Sequence, residues 1–345
     1  MTTQPAHVVT SVAHAPAVPG RGDLPSIVIS LDFEMRWGVH HRLRYQMDAY
    51  RENLEAERTV VPALLKLFAE RVIRATWATV GGLACKNWDE YFRRAPLSPR
   101  YANRQLAVSP LYAELDPAGK LYFAPDLVQT IHDTPGQELG THTFSHIPMD
   151  EAGVTAADVK GDLEAVAVLW RERFGAAPVS LVFPRNQTAF TSVAHDCGIR
   201  IWRGSETPWY HRKTPATSQH VVARALRWLD AVDPLVRRAC ALDGCMTRAS
   251  LFLRTDLTDA AWGLHLARIR RELTFTSPDE VFHLWWHPHN LGVDTQKRMA
   301  RLEHVLDLIA EKSRRGLAVS RCMADLVPAP CERPEPGSEG VAPAG

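Results

Sequence analysis

Strand-like and helix-like segments alternate along most of this chain of 345 residues, and this alternation limits the fold more than any other feature. Short runs rich in β-branched and aromatic residues predict strands at 26–31, 75–80, 138–142, 179–183, 199–202, 281–286 and 317–320. Helical spacing of apolar residues lies between them, at 53–71, 125–133, 156–174, 188–197, across most of 218–271 and at 295–315. Parallel strands need crossover helices, and about seven such units favour closure of the sheet into a (β/α) barrel.

The remaining segments set the expected domain limits. A long, turn-rich insertion runs from about 87 to 123, and we expect it to form part of a substrate pocket. The segments 1–22 and 328–345 are rich in Pro, Gly and Ala without any period, so we predict disordered tails there. The barrel domain is therefore predicted to cover residues 23–327.

Charge and cysteine content narrow the class of protein. The 40 basic and 39 acidic residues nearly cancel, which disfavours nucleic acid as a partner. Six thinly spread cysteines without a C-x-x-C pair indicate reduced thiols. No apolar run is long enough to span a membrane, and no secretory signal pattern is present at the start, so we predict a cytoplasmic protein without stable membrane insertion.

Two pairs of polar residues at predicted strand ends suggest chemistry. Residues i and i+2 of an extended chain face the same way, so Asp32 and Glu34 are expected to project together. His142 and His146 have the four-residue spacing with which two imidazoles bind one metal ion. Without a Glu directly after His142, this pair does not match the H-E-x-x-H motif of metalloproteases.

The segments Glu138-Leu-Gly-Thr-His-Thr-Phe-Ser-His146 and Leu31-Asp-Phe-Glu34 resemble the metal-binding motifs of the polysaccharide deacetylase family, the NodB-homology or family 4 carbohydrate esterases. The resemblance covers about residues 27–320 and implies a distorted or incomplete (β/α)7-8 barrel. It implies His142 and His146 as ligands of a divalent metal and Asp32 as the catalytic base. The family usually has two adjacent aspartates here, so the third ligand role passes to Glu34.

The resemblance also assigns further roles. An arginine near a proline orients the base in this family, and Arg185 in Phe183-Pro-Arg-Asn-Gln187 has these residue types in altered order. A strand that ends in histidine supplies the general acid, which implies His287, with His289 as the alternative. The family's acid-tuning aspartate has no clear equivalent, because only Glu206 stands between Trp202 and Trp209.

Tryptophans near the motifs offer flat surfaces on which a sugar ring can stack. Among them we expect Trp37, Trp209 and Trp286, together with His289, to bind substrate. The implied activity is metal-dependent removal of an N-acetyl or N-formyl group from an amino sugar or a sugar-containing intermediate, with Zn as the first choice of metal and Co, Mn, Ni or Fe as alternatives. A glycan or small molecule is then the partner, while the sequence leaves the oligomeric state open.

Two other functions fit the same residues. One is a sugar-binding barrel of the same fold that has lost catalysis, which the irregular first, third and fourth motifs would explain. The other is a non-haem iron oxygenase, since two histidines and one carboxylate also describe those sites. The helix-rich alternation contradicts the all-β scaffold that such oxygenases usually have.

Overall fold

The computed structural model describes residues 23–40, 47–108, 111–211 and 221–327. Its strands are β1 (Ser26–Phe33), β2 (Ala75–Thr79), β3 (Gln137–Thr141), β4 (Ser180–Val182), β5 (Ile201–Gly204), β6 (Met246–Arg248), β7 (Leu251–Phe252), β8 (Val281–Trp286) and β9 (Val319–Arg321). Its helices are α1 (Met47–Glu70), α2 (Trp88–Arg94), α3 (Leu111–Leu115), α4 (Pro125–Asp133), α5 (Ala156–Phe174), α6 (Thr191–Asp196), α7 (Val221–Val232), α8 (Asp259–Phe275) and α9 (Thr295–Arg314). The segments 1–22 and 328–345, predicted to be tails, lie outside the described residues.

All paired strands of the sheet run parallel, in the order β6-β5-β4-β3-β2-β1-β8-β7, with β9 beside the start of β1. Strands β6 and β7 are nearly continuous in sequence. The first pairs with β5 and the second pairs with β8, so the segment from Met246 to Phe252 bridges the two edges of the curled sheet. This irregular bridge confirms the predicted distorted barrel of parallel strands and crossover helices.

Alternate side chains of β1 pack into two different apolar clusters, one on each face of the sheet. Ile27, Ile29, Leu31 and Phe33 pack outward into the large apolar cluster that also contains residues of α1 and α9. Val28 belongs instead to a small cluster with residues of β2, β4, β5 and β8, inside the curled sheet. Asp32 has the same parity as Val28, so the fold directs its carboxylate into the barrel.

The strand register brings the functional strand ends to one level. Phe33 of β1 lies opposite Thr79 of β2, which lies opposite Thr141 of β3, and Leu31 lies opposite Trp286 of β8. The residues that follow these strands therefore emerge at the same end of the barrel, where the catalytic groups of (β/α) barrels collect.

The predicted strands and helices differ from the structure mainly in one region. The stretch 218–271 was expected to be mostly helical, but it holds α7, the two short strands β6 and β7, and α8, while residues 218–220 lie outside the described residues. Strands of three and two residues are too short to show an alternating pattern. Of the turn-rich segment 87–123, the structure describes all but residues 109–110, and it contains α2 and α3.

Cysteine chemistry departs from the sequence prediction. Cys85, Cys197, Cys240 and Cys322 carry free thiols, but Cys245 is disulfide-bonded. The prediction that all six cysteines are reduced is therefore wrong for Cys245. Among the described helices, none combines the length and apolar character needed to cross a bilayer.

Candidate metal centre and active site

Three side chains at the end of the barrel form a candidate metal centre. Glu34 follows β1, and its Oε2 lies 3.0 Å from His146 Nε2 and 3.3 Å from His142 Nε2. All three residues are buried, and their ligand atoms lie within 4.8 Å of one another. The structure thus brings together the carboxylate and the two histidines that the sequence predicted as ligands.

The tautomer of His142 suits this centre. Its Nδ1 donates to the carbonyl oxygen of Val182 at 2.8 Å, which leaves the lone pair on Nε2. That Nε2 is buried and has no hydrogen-bond partner among the described residues. A ligating histidine usually donates its other N–H to a carbonyl or carboxylate, so this orphaned nitrogen fits a divalent cation.

The loop between the two histidines is held by a buried carboxylate. Thr143 and His146 have positive φ angles of 65° and 57°, in the left-handed region that residues other than glycine seldom adopt. Asp162 of α5 accepts hydrogen bonds from the backbone N–H of Phe144 at 2.6 Å and of Ser145 at 3.1 Å, and from the Ser145 hydroxyl. The loop therefore keeps a strained shape that turns His146 back towards Glu34.

Burial and neighbouring charges set the protonation of the centre. Burial lowers the pKa of His146 to about 4, so its imidazole is neutral near pH 7. Burial would raise the pKa of Glu34, but the imidazoles of His287, His142 and His146 outweigh it and hold that pKa well below its ordinary value. An ionised carboxylate beside a neutral imidazole is the protonation state that metal binding requires.

Asp32 is held by an arginine that the sequence analysis did not select. Arg203 of β5 donates from Nη1 to Asp32 Oδ1 at 2.7 Å and from Nη2 to Oδ2 at 2.8 Å, and it also binds Ser30 and Asn186. Its guanidinium lies 4.1 Å from the ring centroid of Trp285. Burial raises the pKa of Asp32, but Arg203, His287 and His142 together outweigh it, and the pKa lies below its ordinary value.

The prediction for Arg185 needs correction. Arg185 lies in the turn Pro184–Asn186 with a positive φ of 57°, and its Nη1 donates to Glu151 at 2.8 Å rather than to Asp32. The fork that orients Asp32 comes from Arg203, one strand further along the sheet. The inward parity of Arg203, two residues after the buried Ile201, was the signal that could have identified it.

His287 lies beside both carboxylates. Its Nε2 is 3.5 Å from Glu34 Oε1 and 3.7 Å from Asp32 Oδ2, and the side chain is 20% exposed. His289 is buried and stacks on His287 with ring centroids 4.8 Å apart. The Nδ1 of His289 lies 3.3 Å from Oε1 of Glu57, a fully buried carboxylate on α1. Glu57 is an acidic residue beside the site that the sequence analysis did not select.

Two of the predicted substrate-binding tryptophans are core residues. Trp37 is buried in an aromatic cluster with Trp88, Tyr91 and Tyr122, and its Nε1 donates to the Tyr122 carbonyl. Trp286 is buried too, because the alternation of β8 turns it outward towards the helices. Both are corrections to the prediction. Trp209 is 59% exposed and remains available to a ligand.

Comparisons with known proteins agree with this geometry. Residues 48–202 match the family described as polysaccharide deacetylase, a segment that contains His142 and His146 but ends before His287 and begins after Glu34. No curated protein matches the chain.

Solved structures that are similar to this chain have low sequence identity. A putative polysaccharide deacetylase from Mycobacterium smegmatis is 14% identical, with 92% of this chain and 93% of that chain covered and a TM-score of 0.53. A family 4 (CE4) pseudoenzyme from Bacillus anthracis is 10% identical, with coverages of 92% and 70% and a TM-score of 0.41. A CE4 esterase from Streptococcus mutans is 11% identical, with both coverages 87% and a TM-score of 0.41. Residues 48–202, which contain the histidine motif, therefore match the polysaccharide deacetylase family, as the resemblance of that motif predicted.

Proposed function

We propose that this protein is a metal-dependent hydrolase that removes an N-acetyl or N-formyl group from an amino sugar or a sugar-containing intermediate. The observation that carries the proposal is the convergence of Glu34, His142 and His146 beside Asp32 and His287 at one end of the barrel. This convergence supports the proposal, because a metal-ligand set, a base and an acid would then share the same space.

The ligand set suits a catalytic metal. Two imidazoles and one carboxylate leave coordination positions open, and they accept Zn first, with Co, Mn, Ni or Fe as alternatives. A divalent ion held there would supply Lewis acidity, which lowers the pKa of water to about 7 and polarises an acyl carbonyl.

The chain's own residues supply the proton transfers. Asp32 is kept ionised and oriented by Arg203, so it can accept a proton from the attacking water. His287 is partly exposed beside Asp32 and Glu34, and in this scheme it donates a proton to the departing amine. Arg203 is a positioning residue in this scheme, because its Nη1 and Nη2 groups donate to Asp32, Ser30 and Asn186.

We assign substrate contacts to those candidate side chains that are exposed to solvent. Trp209, on the turn Trp209–His211 after β5, offers an exposed aromatic face for a sugar ring. His289 is buried behind His287, so we assign it to support of that residue instead of direct substrate contact.

The location of the protein bears on the natural substrate. A cytoplasmic enzyme would act on a nucleotide-linked, lipid-linked or glycosidic intermediate, since intact cell wall or chitin lies outside the cell. That location stays a prediction from the sequence. The disulfide at Cys245 removes part of its basis, because disulfides are rare in reducing compartments.

The test is hydrolysis measured together with metal content. We expect wild-type protein loaded with Zn to release acetate or formate from chitooligosaccharides or from UDP-N-acetylglucosamine. His142→Ala should lose both bound metal and activity, whereas His132→Ala, which removes an exposed histidine of α4, should retain both.

The alternatives predict other results. Hydrolysis that persists in metal-free wild-type protein would contradict the proposal. Sugar binding without any release of acetate or formate would identify an inactive binding barrel. Substrate oxidation dependent on iron and oxygen would identify an oxygenase, although the parallel barrel is not the usual scaffold of that class.

A further inference from the structure

Arg36 carries a buried charge that no described residue balances. The residue is only 6% exposed, yet its guanidinium forms no hydrogen bond or ion pair within the described part of the chain, and its Nε is buried without a partner. Its one described contact of note is aromatic, since the guanidinium carbon lies 5.2 Å from the ring centroid of Tyr122. A buried cation without an acceptor is costly, so the charge of Arg36 calls for an anion beside it.

The Arg36 side chain lines a cavity of about 330 Å³ between the start of α1 and the insertion. The cavity wall also carries Arg51, Arg58 and Lys120 as basic residues and Glu55 and Asp116 as acidic residues. Four positive and two negative side chains give this wall a net charge of two positive units. The volume is within the usual range for a small-molecule site.

The two acidic residues of the wall already have partners. Glu55 lies 3.5 Å from Arg51, its neighbour one helical turn earlier. Asp116 accepts hydrogen bonds from the backbone N–H groups of Lys120 at 3.4 Å and Leu121 at 3.3 Å. Neither carboxylate forms a hydrogen bond or ion pair with Arg36, so neither neutralises its charge.

The other cations differ in how they are held. Arg58 donates to the carbonyl oxygens of Lys120 at 3.0 Å and Phe123 at 2.6 Å, which fixes its position on the wall. The Lys120 ammonium is exposed and forms no ion pair with a described residue. Arg36 and Lys120 therefore provide positive charge that is available to a ligand.

The cavity is linked to the candidate metal centre along the chain, through Arg36 on its wall. Arg36 lies two residues after Glu34, so their Cα atoms are at most about 7 Å apart. The backbone N–H of Arg36 donates to the carbonyl oxygen of Leu121 at 3.1 Å, which ties this turn to the insertion. A ligand group bound by Arg36 would thus be held by a residue of the same turn that follows the candidate metal ligand Glu34.

We propose that this cavity is an anion subsite for the phosphate or pyrophosphate group of the substrate. A single carboxylate would balance one of these cations, whereas a phosphoryl group offers several oxygens to several donors and matches the planar guanidinium. The substrate would then be a phosphorylated or nucleotide-linked amino sugar. That the rest of the ligand is an amino sugar rests on the proposed function.

The first test measures anion binding alone. Isothermal titration of metal-free, full-length protein with inorganic pyrophosphate should show binding that Arg36→Gln weakens about 10- to 100-fold, the range expected for losing hydrogen bonds to a charged group. Lys120→Gln changes an exposed residue, and we expect it to weaken binding about two- to fivefold. Arg93→Gln removes an exposed arginine of α2 away from the cavity and should leave the affinity unchanged.

These results decide the inference. Equal affinity in wild type, Arg36→Gln and Lys120→Gln, or no binding to wild type, would overturn it. Circular dichroism checks the fold of each variant, and if Arg36→Gln does not fold, the comparison of Lys120→Gln with Arg93→Gln decides.

The second test compares substrates and separates this inference from the proposed function. Wild-type protein should release acetate from N-acetylglucosamine 1-phosphate or UDP-N-acetylglucosamine with higher kcat/KM than from N-acetylglucosamine, and Arg36→Gln should reduce the preference by raising KM for the phosphorylated sugars. Equal kcat/KM for all three sugars would overturn the subsite but leave the hydrolase. Pyrophosphate binding that depends on Arg36, without acetate release from any sugar, would support the subsite and count against the hydrolase.

Discussion

Arg203 donates two parallel hydrogen bonds of 2.7 and 2.8 Å to the carboxylate of Asp32, and both side chains are buried inside the barrel. The remaining contacts of Arg203 are to Ser30, to Asn186 and to the face of Trp285, so the guanidinium has little freedom to turn. A base that is both ionised and fixed in direction is what proton abstraction from water requires.

Replacing Arg203 should therefore impair the base without removing the metal. We expect Arg203→Lys, which keeps the charge but loses the fork, to lower kcat about 100-fold at unchanged metal content. Arg203→Gln should also raise the pKa of Asp32 and move the acidic limb of the kcat/KM profile to higher pH. Steady-state kinetics from pH 4 to 9 and metal analysis measure these effects.

Arg185→Gln is the comparison variant for this prediction. Arg185 pairs with Glu151 at a partly exposed position, so its loss should cost less activity than that of Arg203. A larger loss in Arg185→Gln than in Arg203→Gln would return the orienting role to Arg185. Removing one partner of a buried ion pair should also lower the free energy of unfolding of Arg203→Gln by about 3–5 kcal/mol.

The variant Gly38→Ala tests the candidate metal centre without replacing any of its proposed ligands. A Cβ at this position would overlap the carboxylate of Glu34, so Gly38→Ala should displace that carboxylate from the two histidines. Because the obstacle is the end of a flexible side chain, we expect the variant to fold, but its metal affinity should fall about 10- to 100-fold. Competition titration with a chromogenic chelator measures the affinity.

The control for Gly38→Ala is alanine at Gly263 of α8. Nothing lies within 4 Å of a Cβ there, and the residue is in a helix, where alanine is favoured over glycine. Gly263→Ala should bind metal as wild type does. Wild-type metal affinity in Gly38→Ala would show that Glu34 is not a ligand or that the turn adjusts at no cost.

Asp162 should give the stability of the metal-free protein a specific pH dependence. Burial raises the pKa of Asp162 to about 6, against 3.8 for an unperturbed aspartate, even though hydrogen bonds from Ser145 and Phe144 act to lower it. The folded state thus holds the proton more tightly than the unfolded chain. This tighter proton binding by Asp162 contributes about 3 kcal/mol to the free energy of unfolding. The contribution is fully present below about pH 4 and is lost as the pH rises through about 6.

Asp162→Asn removes this titration. The difference in free energy of unfolding between wild type and Asp162→Asn should therefore change by about 3 kcal/mol between pH 4 and pH 7, in the direction that disfavours wild type at pH 7. Urea denaturation of both metal-free proteins at several pH values measures it. A difference that is constant across this range would mean that Asp162 has an ordinary pKa.

The candidate metal ligands could be selected from the sequence because their arrangement is local. Asp32 and Glu34 follow from the two-residue period of a strand, and His142 and His146 follow from their spacing. The convergence of these two motifs needed only the rule that parallel strands end at one side of a barrel. The structure shows Glu34 within 3.3 Å of both histidines.

The orienting arginine could not be chosen in the same way. Arg185 and Arg203 both follow apolar residues in short strand segments, and only the three-dimensional pairing shows which guanidinium reaches Asp32. Glu57 could not be selected from the sequence for a similar reason, since its partner His289 lies more than 200 residues away on another element. Strands β6 and β7 are set by pairing with β5 and β8 more than by their own residues.

The tryptophans give the last prediction, because exposure separates a binding residue from a core residue. Trp209 is 59% exposed, so Trp209→Ala should raise KM for an amino-sugar substrate about three- to tenfold with little change in the free energy of unfolding. Trp37 is buried against Trp88, Tyr91 and Tyr122, so Trp37→Ala should lower the free energy of unfolding by about 3–5 kcal/mol. Urea denaturation and steady-state kinetics on both variants measure the two effects. An unchanged KM in Trp209→Ala would remove this residue from the binding surface, and a fully stable Trp37→Ala would contradict its place in the core.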